Sequence, residues 1–287
     1  MSPRRGSSLL LYGLFFPTVT SGPILRPGIF FPQLREKGFL HPDWSDAAAG
    51  IYAICCGTIK KVLLADAFGT VVNNGWVHLE ELSAPAAWLV ILGYTLQLYF
   101  DFSGYCDIAA GVARLFGLRL PMNFDSPYRS ASVTEFWKRW HITLTTFLRE
   151  CLYFPLGGSR RGRTRKIPQH PPRVRRQRPV ARRQPHLCGV GPFERHLHVH
   201  WQGHGALAQK NEKYNPLYCT RPTRAFFKVV CTYLLFTSCI VFFRAASFED
   251  AAWVYSHLFT GWGAMFTDFE AFREVLVTIG FDLKMTL

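Results

Sequence analysis

The stretch QLYFDFSGYCDIAAGVARLFGLRLPMNFDSPYRSASVTEFWKRWHITLTTFLRECLYFPLGG, residues 97–158, decides the fold of this chain. Its first third is apolar and aromatic, yet it contains Asp101 and Asp107. Charged groups are costly in lipid, so acids in such a run indicate a protein-lined site or a structural polar pair. Because the two carboxylates are six positions apart, they would point to different faces of one helix and would not form an acid/base pair.

The last third of this stretch is predicted to form one continuous amphipathic helix. Residues 132–135 have the S/T-x-x-E form of a capping box, which places the helix start there. The helix would run through WKRWHITLTTFLRECLYF and lie near the membrane surface, with its tryptophans at headgroup level. Its apolar face would carry Trp137, Trp140, Leu144 and Phe147.

Two segments nearer the start are predicted to be irregular or interfacial. Residues 9–31 are apolar but interrupted by prolines and glycines, which favours a broken or re-entrant segment, with a soluble loop as the alternative. Residues 46–72 are predicted to form a helix that ends in an interface-lying turn, where Lys60 and Lys61 snorkel towards water.

Two apolar runs are candidates for membrane spans. Residues 84–100 are the clearest, because their length suits a hydrocarbon core of about 30 Å, and residues 226–243 are the second. Residues 108–118 are too short to span alone and would continue a buried bundle. The predicted fold class is therefore all-α, a polytopic transmembrane helical bundle with re-entrant and interfacial helices.

Composition agrees with apolar segments joined by basic loops. The chain has 287 residues, 49% of them hydrophobic, and a net charge of +14. Its mean hydropathy of +0.07 is low for a polytopic membrane protein and high for an ordinary soluble one. Apolar segments with strongly basic connections produce such a mixture, and the basic loop after residue 158 would face the cytoplasm.

The signatures of several site classes are missing from the sequence. The eight cysteines include no CxxC pair and mostly lie in apolar runs, so we expect small buried hydrophobes rather than disulfides or metal ligands. There is no glycine-rich nucleotide loop, zinc-ligand spacing or nucleophile elbow. We therefore predict no metal site and no tightly bound cofactor.

Two long blocks carry a resemblance, QLYFDFSGYCDIAAGVARLFGLRLPMNFDSPY at 97–128 and SVTEFWKRWHITLTTFLRECLYFPLGGSRRG at 132–162. They resemble the signature region of the membrane-bound O-acyltransferase family, in its alginate O-acetyltransferase-like branch. FFPTVTSGPILRP at 15–27 and FTSCIVFFRAASFEDA at 236–251 resemble flanking segments of the same family.

The resemblance implies a multi-pass enzyme of the bacterial inner membrane. It would transfer an acetyl group to an exported polysaccharide such as alginate, with acetyl-CoA or another acyl donor as substrate. Membrane lipid, the polysaccharide acceptor and periplasmic acetylation proteins are the implied partners, without nucleic acid. The family has several helices before the point where this chain begins, so we expect a fragment.

A candidate catalytic residue is His141. Acyl transfer to a sugar hydroxyl needs a general base, and the pKa of histidine suits that task. Of the ten histidines, His141 lies in a well-matched block of the resemblance. The alternative interpretation is a structural or interfacial histidine.

Candidate substrate-binding residues are Asp101, Lys138 and Arg139. The two basic side chains could attract the phosphates of a coenzyme A donor, and the alternative is a solvated or lipid-facing basic face. For Asp101 the alternative is buried hydrogen bonding beside Ser103 and Tyr105.

Residues 166–202, KIPQHPPRVRRQRPVARRQPHLCGVGPFERHLHVHWQ, differ in composition from the rest of the chain. Taken literally, this Pro/Arg/His-rich segment is disordered and basic. The resemblance instead implies an Arg-Asn-apolar run ending in Gly-Leu-Trp-His-Gly. Codons read one base later permit that run, with Gly-Leu-Trp-His-Gly at positions 178–182. We therefore predict a frameshift whose frame is restored between Gln202 and Phe226.

This prediction sets the domain organisation and the alternatives. A membrane core at residues 1–165 and a C-terminal membrane part at 203–287 would flank the aberrant segment. As written, the chain has Ala181 where the family's catalytic histidine is implied, so it is expected to be inactive. One alternative is a D-alanyl transfer protein for teichoic acid. The other is a non-enzymatic membrane protein whose basic segment binds anionic lipid or nucleic acid.

Overall fold

The computed structural model describes residues 3–35, 43–155 and 221–260 and four single positions beyond them. In this part of the chain every regular element is helical, in agreement with the all-α prediction. The α-helices are α1 (Pro3–Gly13), α2 (Phe16–Val19), α3 (Pro27–Gln33), α4 (Trp44–Thr58), α5 (Asp66–Val77), α6 (Ala84–Leu115), α7 (Val133–Arg139), α8 (Ile142–Leu148), α9 (Arg221–Arg244) and α10 (Phe248–His257). Ile59–Ala65 and Arg149–Tyr153 are π-helical, and Leu79–Glu81 and Pro127–Arg129 are 3-10 helical.

The predicted break in the N-terminal apolar segment is confirmed. The segment forms three short helices, and prolines lie at the first turns of α2 and α3. Proline has no N–H to donate, so it is tolerated at a helix start and disrupts a helix interior. Buried side chains of Phe15, Leu25 and Phe30 pack with Ala113 and Leu118 of the α6 region.

Two helices in the described residues are long and apolar enough to cross a membrane. Thr223–Arg244 has a mean hydropathy of 2.0, which confirms the expectation for residues 226–243. The other is Trp44–Val77, with 34 residues and a mean hydropathy of 1.5. Residues 84–100, predicted to be the clearest span, are instead the first half of the 32-residue α6, which has a largely buried start.

The predicted interface-lying turn at Lys60 and Lys61 is wrong. The chain continues from α4 through the π-helical segment Ile59–Ala65 into α5 without a turn. The two lysines have carboxylate partners instead, since Lys60 donates to Asp107 at 2.6 Å and Lys61 donates to Asp101. Carboxylates on a neighbouring helix accept the hydrogen bonds that the lysine ammonium groups would otherwise donate to water.

Glycines allow α4 and α6 to pack with their backbones in contact. A Cβ atom added to Gly57 would lie 2.5 Å from the carbonyl oxygen of Gly104, and one added to Gly111 would lie 2.5 Å from that of Gly50. The pairing of early with late residues makes the two helices antiparallel. Small residues permit such close approach between helices, which brings the lysines within reach of the two acids.

The described chain divides into two compact units. The first contains Met1–Thr70, Leu96–Asp125 and Trp140–Cys151, and the second contains Val71–Thr95, Ser126–Arg139 and Leu152–Leu287. The core of the second unit joins the start of α6 to α9 and α10, with Val90, Val241 and Val254 among its buried residues. The predicted domain boundaries, at 165 and 202, lie outside the described residues.

The helix predicted to run unbroken from residue 132 is interrupted at His141. Its start is confirmed, since α7 begins at Val133 and the N–H of Glu135 donates to Oγ of Ser132 at 3.2 Å. His141, however, has φ 45° and ψ 54°, in the left-handed region, and α8 begins after it. The single apolar face is therefore wrong as well, because Trp140 packs edge-on against Phe124 with ring centroids 5.0 Å apart.

Candidate functional site

Asn123 lies in the loop after α6 and holds the start of α8. Its backbone oxygen accepts the N–H of Ile142 at 2.9 Å. Its Oδ1 accepts the N–H of Thr143 at 3.2 Å and the hydroxyl of Thr143 at 2.9 Å. The first amide groups of a helix have no partner inside it, so one buried asparagine supplies the acceptors that let α8 begin here.

The same side chain determines which nitrogen of His141 carries the proton. Nδ1 of His141 lies 3.0 Å from Oδ1 of Asn123. A backbone N–H only donates, so the Thr143 amide identifies its partner as the carboxamide oxygen. An oxygen acceptor requires a proton on Nδ1, and the lone pair of the neutral imidazole is then on Nε2.

The surroundings of His141 favour its neutral form. The ring is half-buried and meets Phe102 edge-to-face, with ring centroids 4.8 Å apart. Burial lowers the pKa of His141 below its ordinary value, because an imidazolium ion loses hydration there. No described residue forms a hydrogen bond with Nε2, so the neutral ring presents an unoccupied proton acceptor.

The backbone at His141 is strained. A non-glycine residue with positive φ costs about 1 kcal/mol or more, and such residues persist where their surroundings hold them. Here the hydrogen bonds from α8 to Asn123 hold the conformation. Backbone strain at a residue whose side chain presents an unoccupied proton acceptor is typical of sites with a chemical role.

The structure places Asp101 in an ion pair rather than beside the hydroxyls predicted for it. Its partner is Lys61, and its side chain is 48% exposed. Ser103 is buried, and the hydroxyl of Tyr105 pairs with that of Thr20. Asp101 and His141 both belong to the first unit, and each has its own set of partners.

Lys138 and Arg139, the predicted basic substrate-binding residues, belong to the second unit. Arg139 pairs with Glu135 one helical turn earlier, at 3.0 Å. Lys138 is exposed on α7. Both side chains of the Arg139–Glu135 pair are about one-third exposed.

Other predictions fall outside the described residues or are partly wrong. Ala181 and the whole of 166–202 are outside the described part. Cys106 and Cys239 are buried as predicted, but Cys55, Cys151 and Cys231 are exposed. Among the described residues, no three His, Cys, Asp or Glu side chains gather in a way that could hold a metal ion.

Sequence reasoning missed Asn123, Thr143 and Cys106. Nδ2 of Asn123 donates to Sγ of Cys106 at 3.2 Å, and the hydroxyl of Thr143 also accepts the N–H of Ile24 at 3.0 Å. These contacts join four separate parts of the chain. The turn-rich composition around Asn123 was the available signal, but composition does not reveal which helix a turn residue caps.

Comparison with known proteins gives one family match. The model of the membrane-bound O-acyltransferase family matches residues 7–170. This range includes Asn123, His141 and the glycines of the helix contact.

Three relatives show the range of names in the same family. The peptidoglycan O-acetyltransferase of Helicobacter pylori is 43% identical over 150 residues, which are 52% of this chain and 28% of that protein. The probable alginate O-acetylase AlgI of Pseudomonas aeruginosa is 41% identical over 145 residues, 50% of this chain and 27% of that protein. The teichoic acid D-alanyltransferase of Bacillus subtilis is 32% identical over 146 residues, which are 50% of this chain and 37% of that protein. The chain thus spans less than two-fifths of the length of these relatives.

Proposed function

Because this chain belongs to the membrane-bound O-acyltransferase family, we propose that the whole protein transfers an acetyl group to a hydroxyl of an exported polysaccharide such as alginate. Relatives named as peptidoglycan and alginate O-acetylases, 43% and 41% identical, support the acetyl group and a polysaccharide acceptor. The relative named as a teichoic acid D-alanyltransferase, 32% identical, supports D-alanyl transfer as the second candidate.

The observation that carries the proposal is the unoccupied Nε2 of His141, with Nδ1–H held by Asn123. In the proposed step Nε2 takes the proton of the acceptor hydroxyl as its oxygen bonds to the carbonyl carbon of a thioester donor. The carbon–sulfur bond then breaks, and the imidazolium returns the proton to the departing thiolate. A lowered pKa keeps His141 in the basic form that this step needs.

The remaining predicted site residues enter this proposal as substrate-binding groups. Lys138 and Arg139 would attract the phosphates of acetyl-CoA or of another acyl donor. Asp101 would act together with Lys61, because their ion pair leaves Asp101 about half exposed.

We place the protein in the bacterial inner membrane as a multi-pass protein, with lipid and periplasmic acetylation proteins as partners. The family description and two apolar helices support the membrane location. We also propose that the chain as written is inactive, because the resemblance implies a catalytic histidine in addition to His141, at the position where this chain has Ala181.

The test compares two full-length proteins in membrane vesicles, one as written and one with the frame restored across residues 166–202. Labelled acetyl-CoA and alginate are supplied, and transfer of label to the polymer is measured. Transfer is expected from the restored protein alone, and His141→Asn in that protein is expected to reduce the rate by about a hundredfold or more.

A His78→Asn variant is the matched control and should retain the rate. Parallel reactions with peptidoglycan fragments and with a D-alanyl thioester distinguish the alternatives. The proposal is rejected if the restored protein transfers neither group, and the role of His141 is rejected if its variant keeps the full rate.

A further inference from the structure

A cavity of about 230 Å³ lies within the first unit, beside α6 and the loop that follows it. Three basic residues, Lys60, Arg114 and Arg119, line it together with a single acid, Asp107. Its wall therefore carries more positive than negative charge, although α6 is mostly apolar in this region. Such an imbalance inside a concave site favours an anionic ligand.

The ion pairs of the first unit leave one of these charges uncompensated. Lys60 pairs with Asp107 at 2.6 Å, and Arg119 pairs with Asp46 at 3.1 Å. The guanidinium of Arg114 makes no ion pair or hydrogen bond with any described residue. A guanidinium group has donors arranged to hold two oxygens of a phosphate or carboxylate, so Arg114 is suited to an anion in the cavity.

A buried hydroxyl in the cavity wall also lacks a partner. Ser103 is 2% exposed, and its Oγ has no hydrogen-bond partner among the described residues. A buried hydroxyl without a partner is costly, so native structures usually provide one. Because Ser103 lines the cavity, a ligand oxygen placed there can complete this hydrogen bond.

We propose that this cavity binds a phosphate ester, held by the guanidinium of Arg114 and the hydroxyl of Ser103. A phosphate has several acceptor oxygens, so it can accept from both groups and also meet Lys60 at the cavity wall. The volume admits a phosphate group together with the first atoms of its ester chain.

The cavity adjoins the site around His141 through a shared residue. Asn123 lies in the cavity wall and also accepts Nδ1–H of His141. Thioester acyl donors carry phosphopantetheine, so a donor phosphate in the cavity would bring its chain towards the candidate base. This connection rests on the proposed function, whereas the phosphate ester itself could equally come from a phospholipid headgroup.

The test measures binding without turnover, by calorimetry on the purified full chain in detergent micelles. 4′-Phosphopantetheine is compared with pantetheine, and dioleoyl phosphatidic acid is compared with dioleoylglycerol. At least one phosphate ester is expected to bind about tenfold or more tightly than its uncharged counterpart. The ester that binds identifies the source, and the proposal is wrong if neither shows this preference.

Variants then locate the binding. Arg114→Gln is expected to weaken binding of the phosphate ester about tenfold. Ser103→Ala is expected to weaken it several-fold while leaving the melting temperature without ligand unchanged or higher, because the hydroxyl has no partner to lose. If Arg114→Gln fails to fold, Ser103→Ala still decides the result.

Arg149→Gln is the matched control, with the same loss of charge at an exposed position outside the cavity wall. It should bind like the unmodified chain. Equal weakening in Arg149→Gln and Arg114→Gln would mean diffuse attraction and would overturn the proposal, as would full affinity in both cavity variants. Because these experiments measure binding and no acetyl transfer, a negative result would overturn the phosphate-ester proposal without testing the proposed function.

Discussion

Oδ1 of Asn123 accepts Nδ1–H of His141 at 3.0 Å and, at the same atom, the N–H of Thr143 at 3.2 Å. One carboxamide therefore fixes both the backbone at the start of α8 and the protonation site of the histidine before it. Any change that moves Asn123 is expected to alter the shape and the chemistry of the site together.

Replacing Asn123 with alanine should destabilise the first unit. The side-chain oxygen loses three hydrogen bonds, which together contribute about 3 kcal/mol to the free energy of unfolding. A fall in the thermal midpoint, followed by tryptophan fluorescence in detergent, measures this loss. Asn74→Ala on α5 is the control and should change the midpoint little. Equal midpoints for both variants would contradict the role of Asn123 in capping α8.

Stability should decrease as the pH falls below about 6.5, the ordinary pKa of histidine. Burial lowers the pKa of His141, so the unfolded chain binds a proton in a pH range where the folded chain does not. The state that binds more protons is favoured as pH falls, and here that is the unfolded state. His141→Asn removes this group, and asparagine tolerates the left-handed backbone.

Melting temperatures measured between about pH 7 and pH 5 test this linkage. The midpoint of His141→Asn should fall less steeply than that of the unmodified protein. Parallel curves for the two proteins would show that burial of His141 does not couple to folding.

Adding a methyl group at the glycine contact should destabilise the α4–α6 pair. The Cβ of Gly57→Ala would lie 2.5 Å from the carbonyl oxygen of Gly104, so the backbones must separate. Overpacking of this kind costs about 1–3 kcal/mol. Gly28→Ala, where a Cβ meets nothing within 4 Å, is the matched control for a measurement of thermal midpoints. A Gly57→Ala midpoint equal to that of the control would exclude the close contact.

The pair of Asp101 and Lys61 can be separated from a role in substrate binding by a double-mutant cycle. Lys61→Met and Asp101→Asn should each lower the free energy of unfolding. The double variant should lose less than the sum of the two single losses, with a coupling of about 1 kcal/mol. Acetyl transfer by the frame-restored protein is the second measurement. Activity that returns with stability in the double variant indicates a structural pair, whereas stability without activity indicates that Asp101 binds substrate.

Sequencing of the coding DNA across codons 155–230 should reveal a missing or added base near codon 166 and a compensating change later. The prediction rests on the alternative reading that places Gly-Leu-Trp-His-Gly at positions 178–182. DNA that encodes residues 166–202 as written would refute the frameshift and leave the basic segment as a real part of the protein.

Local patterns predicted those elements whose determinants are close together in sequence. Ser132 and Glu135 belong to one helix turn, so their capping interaction was visible in the sequence, and the apolar length of residues 226–243 was sufficient to identify α9. The broken N-terminal segment was likewise predictable, because proline acts on its own turn.

The break at His141 had no local signal. Residues 137–147 have helical spacing throughout, and the interruption arises because Asn123, 18 positions earlier, offers acceptors to the amides after His141. The lysine pairs were missed for a similar reason. Lys60 and Asp107 meet only because glycines let two helices approach, and sequence distance does not reveal that approach.

The glycine contacts also restrict sliding of α4 along α6. Gly50 and Gly57, like Gly104 and Gly111, are separated by two helical turns, so both contacts must form at one register. A shift by one turn, about 5.4 Å, would bring a larger side chain such as Ile108 where Gly104 now lies. The two helices are therefore held at one register between these contacts, and sliding of one along the other requires both contacts to separate together.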